Sequence, residues 1–344
     1  ACWLFRILPR LICSAPSCGK GGFCQRRMYT IITDFLTLMP LKIKELRNRA
    51  DDAARNAVMH EQEGIQFTVP LHGQHFSQLL VTISSLYTGD PLDLGLADSY
   101  WCPTDAADTR HCPAKQVALY KFVRLAGDLL MPSLYVPYIN MLAGLADTPK
   151  AAVHCFSLLK QNSAGSSSVC LDHFFASLSQ YFSNLGQFGQ TSARPDMTIY
   201  RSSQPHTRGI SPAEISGLAS VMDLVTVLAD RCDQARLAMA EHPGWSVVPS
   251  VIGLLSCAVP TQIKAKLMIF LAAIAKTSDI VHPLWQALES AGLIGGNRAG
   301  LVGELEEIEA RQEEFPLTRA FLKVLDTLTN VEIPGSLGAG SRQP

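Results

Sequence analysis

From Met28 onward, apolar side chains recur every three or four positions, in blocks divided by proline, glycine and short polar runs. Ile31, Ile32, Phe35 and Leu38 mark the first block, which stops before Pro40, and a more polar block follows over residues 41–60. This spacing gathers the apolar residues into one stripe of an α-helix. Further helices are predicted over 71–88, from Pro91 to near Trp101, and over 115–130, 133–146, 149–160 and 171–185. The short breaks at Pro132 and Pro149 are what antiparallel neighbouring helices use. Residues 1–27, interrupted by Pro9, Pro16, Gly19, Gly21 and Gly22, follow no period and read as irregular, as do the polar stretches 102–113 and 161–168.

The clearest internal boundary is the polar connection over residues 186–210, rich in Gln, Ser, Arg and Pro. Ser211-Pro212-Ala213-Glu214 then supplies an N-cap hydroxyl, a proline at the first helical position and a capping-box glutamate. The helix it opens carries Ile215, Leu218, Met222, Val225, Ala229 and Cys232 on one face and is predicted to run to about Met239. Helices opened near Pro243, Pro260 and Pro283 follow; in the middle one Ile263, Leu267, Phe270, Leu271 and Ile274 form the stripe, with Lys264, Lys266 and Lys276 off it. A last pair covers 301–314 and 316–328, before a Gly/Ser-rich tail at 331–344.

No stretch alternates with period two, so the chain is expected to be all-α, with helical parts at 28–185 and 211–330. His242-Pro243-Gly244-Trp245 recurs 40 positions later as His282-Pro283-Leu284-Trp285. Repeats of about 40 to 47 residues characterise HEAT and armadillo arrays, whose paired helices bury their apolar faces only by stacking. The expected architecture is therefore an α-solenoid of HEAT/armadillo-like antiparallel helical pairs, a form that presents surface to partners.

Composition sharpens this picture. Apolar residues make up 47% and charged ones only 17%, which fits a chain whose surface is largely covered by neighbours. The chain starts at Ala1 and stops in the Gly/Ser-rich tail, and both ends read as cuts through a longer polypeptide. A net charge of −1 gives no bulk attraction to nucleic acid or anionic membrane. The ten cysteines lack paired spacing and read as reduced thiols. The longest apolar run, Leu267 to Ala275, is nine residues, against about 20 for a transmembrane helix, so no transmembrane span is expected. Arg6, Pro9 and Arg10 break the apolar segment a signal peptide needs.

Chemical motifs are weak. Cys102, His111 and Cys112, with Cys2, Cys13, Cys18 and Cys24, are the one group with zinc-ligand chemistry, but they lack the close Cys-x-x-Cys pairs that fix half a tetrahedron. Ser17-Cys18-Gly19-Lys20-Gly21 imitates a phosphate loop with Ser14 where the first glycine belongs and Gly21 where the metal-binding hydroxyl belongs. Gly295-Gly296-Asn297-Arg298-Ala299-Gly300 follows a helix and reads as its terminating loop. Neither a nucleophile elbow nor a paired-histidine metal motif occurs, and a histidine such as His154 reads as a core residue. Catalytic residues, cofactors and metals are all assigned as none, and the chain is not expected to be an enzyme.

Lys42, Lys44, Arg47, Arg49 and Arg55 alternate with Glu45, Asp51 and Asp52 and read as a solvated, ion-paired face. Glu304, Glu306, Glu307, Glu309, Glu313 and Glu314 read as a second solvated face. Phe188-Gly189 stands alone, unlike a phenylalanine-glycine repeat domain.

Read in order, several segments resemble one family, the giant inner-ring scaffold nucleoporins, which are α-solenoids. They are Leu38 to Asp51 (LMPLKIKELRNRAD), Tyr100-Trp101-Cys102-Pro103-Thr104, Lys121-Phe122-Val123-Arg124, Cys155 to Lys160, Ala235 to Ala238, and Glu313 to Phe321 (EEFPLTRAF). The resemblance runs from about Arg26 to the C-terminus; residues 1–25 fall outside it and read as an alternative exon or translated non-coding sequence. It places the chain within the N-terminal half of a much longer protein. It implies a structural constituent of the nuclear pore complex, in contact with other inner-ring scaffolds and with short segments of linker nucleoporins, supporting nucleocytoplasmic transport of protein and RNA at the nuclear envelope. Partner-binding residues stay unassigned. The alternative is a soluble HEAT-type transport receptor of the karyopherin class, which the sequence pI near 6.8 disfavours because such receptors carry a strongly acidic inner surface.

Overall fold

A computed structural model describes residues 22–62, 70–90, 93–103, 112–165, 167–191, 211–257, 259–294 and 301–330. Among the described residues every regular element is helical and there is no strand, as the periodicity requires. Contacts divide the chain into two compact units, one through Leu171 and one from Asp172.

The first unit contains α1 (Gly22–Leu38), α2 (Pro40–Gln62), α3 (His75–Tyr87), α4 (Ala114–Gly127), α5 (Pro132–Leu145) and α6 (Pro149–Asn162), with 3₁₀ turns at Leu71–Gly73 and Leu96–Tyr100. At its centre α3 packs along α5 and also meets α1 and α2. Phe76, Leu79, Leu80 and Ile83 of α3, and Leu134, Tyr138, Ile139 and Leu142 of α5, are essentially sealed from solvent. Each such side chain contributes about 1.5–3 kcal/mol on burial. Helix α1 begins six residues before the expected Met28. Its extra turn is tied down: Gln25 Nε2 donates to the Leu86 carbonyl at the end of α3 (3.5 Å). Residues 22–27, expected to be irregular, are thus helical, and residues 1–21 lie outside the described residues.

The second unit contains α7 (Leu171–Thr191), α8 (Pro212–Arg231), α9 (Asp233–Glu241), α10 (Val247–Leu255), α11 (Thr261–Ile274), α12 (Ser278–Ser290) and α14 (Pro316–Asn330). Between α12 and α14 runs α13, which opens as Leu301–Glu304, passes through a π-helical turn at Leu305–Glu309 and closes as Ala310–Gln312. Helix α11 is the hub, packed against α8 and α14. Helix α7 groups here rather than with the first part, where the expected boundary at 186–210 would put it. The reason is side-chain packing on α10. Ser179 and Ser250 share a hydrogen bond (2.9 Å), and the Phe182 ring fills the space over Gly253, where a Cβ would lie 2.3 Å from it.

The capping box at the start of α8 forms as expected, with Glu214 N donating to Ser211 Oγ (3.2 Å) and Ser211 N to Glu214 (2.8 Å). The single helix expected to reach Met239 is instead two. Cys232 turns extended (φ −132°, ψ 111°), and its sulfur accepts from Ala235 N (3.4 Å) as the N-cap of α9. Helix α8 is long and apolar enough to cross a bilayer by length and composition, at a mean hydropathy of 1.4. Its Leu218, Val221, Met222, Leu224, Val225 and Leu228 are buried in the unit, and Asp223 pairs with Lys266, so it is a core helix.

The two His-Pro-x-Trp copies are not equivalent. In the first, His242 caps α9 and is extended, as a residue before proline prefers, so the motif makes the turn into α10. Trp245 there stacks on His242 (4.1 Å between centroids), packs on Phe175 (5.0 Å) and donates to Asp172 (2.6 Å), fastening the turn to α7. In the second, Pro283 lies inside α12, which opens at Ser278, and Trp285 is 36% exposed. The 40-residue interval is therefore not a structural repeat.

Candidate partner-binding grooves

Two surface grooves carry features a partner could use, one in each unit. The larger, of about 750 Å³, lies between α11 and the start of α14. Ala265, Lys266 and Ile269 form one wall, Phe315, Pro316, Arg319 and Lys323 the other, with Glu313 and Glu314 at one end. Phe315 remains 37% exposed. Lys266 is engaged by Asp223 at 2.5 and 2.6 Å, whereas Arg319 and Lys323 are exposed and among the described residues make no ion pair.

A buried carboxylate sets this wall. Glu309, 1% exposed, ends the π-helical turn and accepts from Leu317 N (2.6 Å), Thr318 N (3.1 Å) and Thr318 Oγ1 (2.5 Å). It satisfies free amides at the start of α14 and puts a negative charge at the positive end of the helix dipole. The turn needs Glu313 in the left-handed region (φ 57°). The expected acidic face is thus divided: Glu309 is a helix cap, Glu304 pairs with the buried Lys264, and Glu306, Glu307, Glu313 and Glu314 face solvent. Lys264 is off the apolar stripe by spacing yet only 5% exposed.

The smaller groove, about 450 Å³, is lined by Lys121, Arg124, Gly127, Tyr138, Asn162 and Ser167, among others. A Cβ on Gly127 would lie 2.3 Å from the Tyr138 oxygen, so only glycine fits there. The wall is held by Arg47 of α2, which is 6% exposed and not part of a solvated face. Its Nη1 donates to the Leu125 (3.0 Å) and Ala126 (2.7 Å) carbonyls and its Nη2 to those of Asp128 (2.6 Å) and Leu129 (3.2 Å). Nε bonds Asp51 at 3.1 Å, and the guanidinium lies 5.6 Å from the Phe76 ring centre. Arg47 thereby takes up carbonyls in the last turn of α4 and in the connection just past it. The rest of the basic strip behaves as expected, with Lys42 on Glu45 (2.8 Å) and Arg55 on Asp52 (2.5 Å).

Of the zinc candidates, Cys102 and Cys112 come together and hydrogen-bond through their thiols. Burial above all, and the Cys112 neighbour, push the Cys102 thiol up to about 11. Cys24 lies half-buried on α1. Cys2, Cys13, Cys18, His111, the Ser17–Gly21 loop and the Gly295–Gly300 loop lie outside the described residues. His154 is half-buried, and loss of solvent lowers its pKa against the opposing pull of Asp98.

The model of one family, described as nuclear pore complex scaffold, nucleoporins 186/192/205, matches residues 3–344. That match reaches into the segment before Arg26, which the resemblance of individual motifs leaves out. Human nuclear pore complex protein Nup205 is 41% identical over 350 residues, covering 94% of this chain and 17% of its own length. Its Drosophila melanogaster counterpart is 32% identical over 336 residues, covering 94% of this chain and 16% of its own length. The chain thus spans about a sixth of these relatives. With an all-α fold and a family match over nearly every residue, the chain belongs to the nuclear pore complex scaffold family of nucleoporins 186/192/205.

Proposed function

We propose that the chain is a segment of a structural scaffold of the nuclear pore complex inner ring, at the nuclear envelope. It supports pore assembly and, through it, nucleocytoplasmic transport by contacts with other nucleoporins. The family match along the whole chain is the observation that carries this reading. The physical features agree with it: grooves between packed helices suit short-peptide recognition and ask for no catalytic group.

Within this reading, the groove between α11 and α14 takes a short segment of a linker nucleoporin. The exposed edge of Phe315 and the half-buried Ile269 offer an apolar floor, and Arg319 and Lys323 favour an acidic residue beside the peptide's apolar anchor. The test uses residues 1–344, wild type and Arg319→Glu/Lys323→Glu, as bait in nuclear-envelope extract with and without GTP-bound Ran, bound proteins being identified by mass. Recovery of scaffold and linker nucleoporins indifferent to Ran is expected, with the linkers lost in the double variant. Release of cargo by Ran would make the chain a transport receptor, and unchanged linker recovery by the variant would remove the groove from the proposal.

A further inference from the structure

One side-chain pair outside both grooves is placed more tightly than core filling demands. Trp101 is fixed on two sides: its Nε1 donates to the Leu145 carbonyl of α5 (2.9 Å), and its own carbonyl accepts from Gln116 Nε2 in the first turn of α4 (2.5 Å). These bonds hold residues 101–102 against the start of α4, where Cys112 immediately precedes the N-cap Pro113. The Cys102 and Cys112 side chains hydrogen-bond across this junction. Cys102 is 1% exposed, whereas Cys112 reaches solvent.

We propose that Cys102 and Cys112 form a reversible disulfide, making the junction between residues 101–102 and the start of α4 responsive to a small-molecule disulfide oxidant such as oxidised glutathione. The thiolate of the accessible Cys112 attacks one sulfur of the oxidant, breaks its S–S bond and releases one glutathione thiolate, leaving Cys112 as a mixed disulfide. The Cys102 thiolate then attacks the Cys112 sulfur and expels the second glutathione. Two protein thiols have lost two electrons and two protons, and one oxidised glutathione has become two reduced ones. Burial sets this order, because the oxidant reaches only the outer thiol. Excess reduced glutathione runs both steps backwards, as a reducing compartment requires.

The sequence provides a clean readout. Trypsin cuts after Arg110 and Lys115, and no Lys or Arg lies between Asn56 and Arg110, so the two cysteines fall in different peptides. The reduced full chain is incubated with oxidised glutathione, alkylated, and digested without reductant. The expected product is a species joining peptide 56–110 to peptide 111–115, lost on reduction and absent from Cys112→Ser. A Cys112 that stops at the glutathione adduct while Cys102 stays a free thiol overturns the proposal. So does a Cys102 linked mainly to Cys155 or another partner. The wild-type digest decides the matter even if a variant fails to fold.

Discussion

Among the described residues Arg47 makes more hydrogen bonds than any other charged side chain, with every donor group engaged and four of its acceptors on the backbone. Truncating it removes four hydrogen bonds to backbone carbonyls and leaves Asp51 without its cation, so Arg47→Ala should destabilise the first unit by about 3–5 kcal/mol. Arg47→Lys should recover little, because an ammonium cannot reproduce the planar fork. Urea denaturation followed by circular dichroism reads both. Three tyrosines make a second expectation. Burial holds the Tyr87, Tyr100 and Tyr138 phenols above their usual range, while in the unfolded chain they ionise near pH 10. Their contribution to stability is complete below that pH and is lost above it, since the unfolded state releases the protons first. Absorbance of tyrosinate at alkaline pH should rise together with loss of helicity; full ionisation with the helices intact would refute this.

At the scale of elements, the stripes and caps were legible and the breaks were not. The box at Ser211 and Glu214 is written in adjacent residues, so it could be read directly. The break at Cys232 could not, because a cysteine thiol is a poor cap by propensity and the helical stripe continues past it. The two exceptional charged residues were hidden for the same reason: Arg47 and Glu309 sit among genuinely solvated neighbours, and only the carbonyls and amides brought to them by the fold single them out. The repeated His-Pro-x-Trp motif misled in the opposite sense. Identical residues make a turn in one place and a helix in the other, with Gly244 permitting the first and Leu284, 1% exposed, committing the second to the core. Glu309→Ala should lower the stability of the second unit by about 2 kcal/mol, with Glu309→Gln less severe because its oxygen still accepts from one amide. Gly253→Ala should also destabilise this unit, by about 1–3 kcal/mol, since Phe182 must leave its place. Thermal melts of the three variants check both statements.

At the scale of the molecule, three exposed large apolar side chains among the described residues fall together at the turn between α1 and α2, where Leu38 is 77%, Met39 49% and Leu41 83% exposed. Contiguous exposed apolar surface favours association. The isolated chain should therefore self-associate with rising concentration, and Leu38→Ser/Leu41→Ser should shift it towards monomer in light scattering. A monodisperse wild-type monomer at high concentration would contradict this. Family membership was readable because its motifs are spread along the chain, whereas the groove walls come from segments far apart in sequence, Gln262 to Ile269 and Glu313 to Lys323, which no local pattern links.

The Arg47 clamp has a consequence for how this protein can vary. Apart from Asp51 and the Phe76 ring, it grips main-chain oxygens, which every amino acid supplies. The exposed side chains of Leu125, Asp128 and Leu129 are thus free to drift while the path of the connection stays fixed, provided the arginine persists, whereas buried Ala126 and close-packed Gly127 are not. Leu129 is the one position where drift would be an improvement. It stands at φ 42° with 87% of its surface exposed, and a glycine or asparagine there would relieve about 1 kcal/mol of backbone strain while leaving its carbonyl to the clamp.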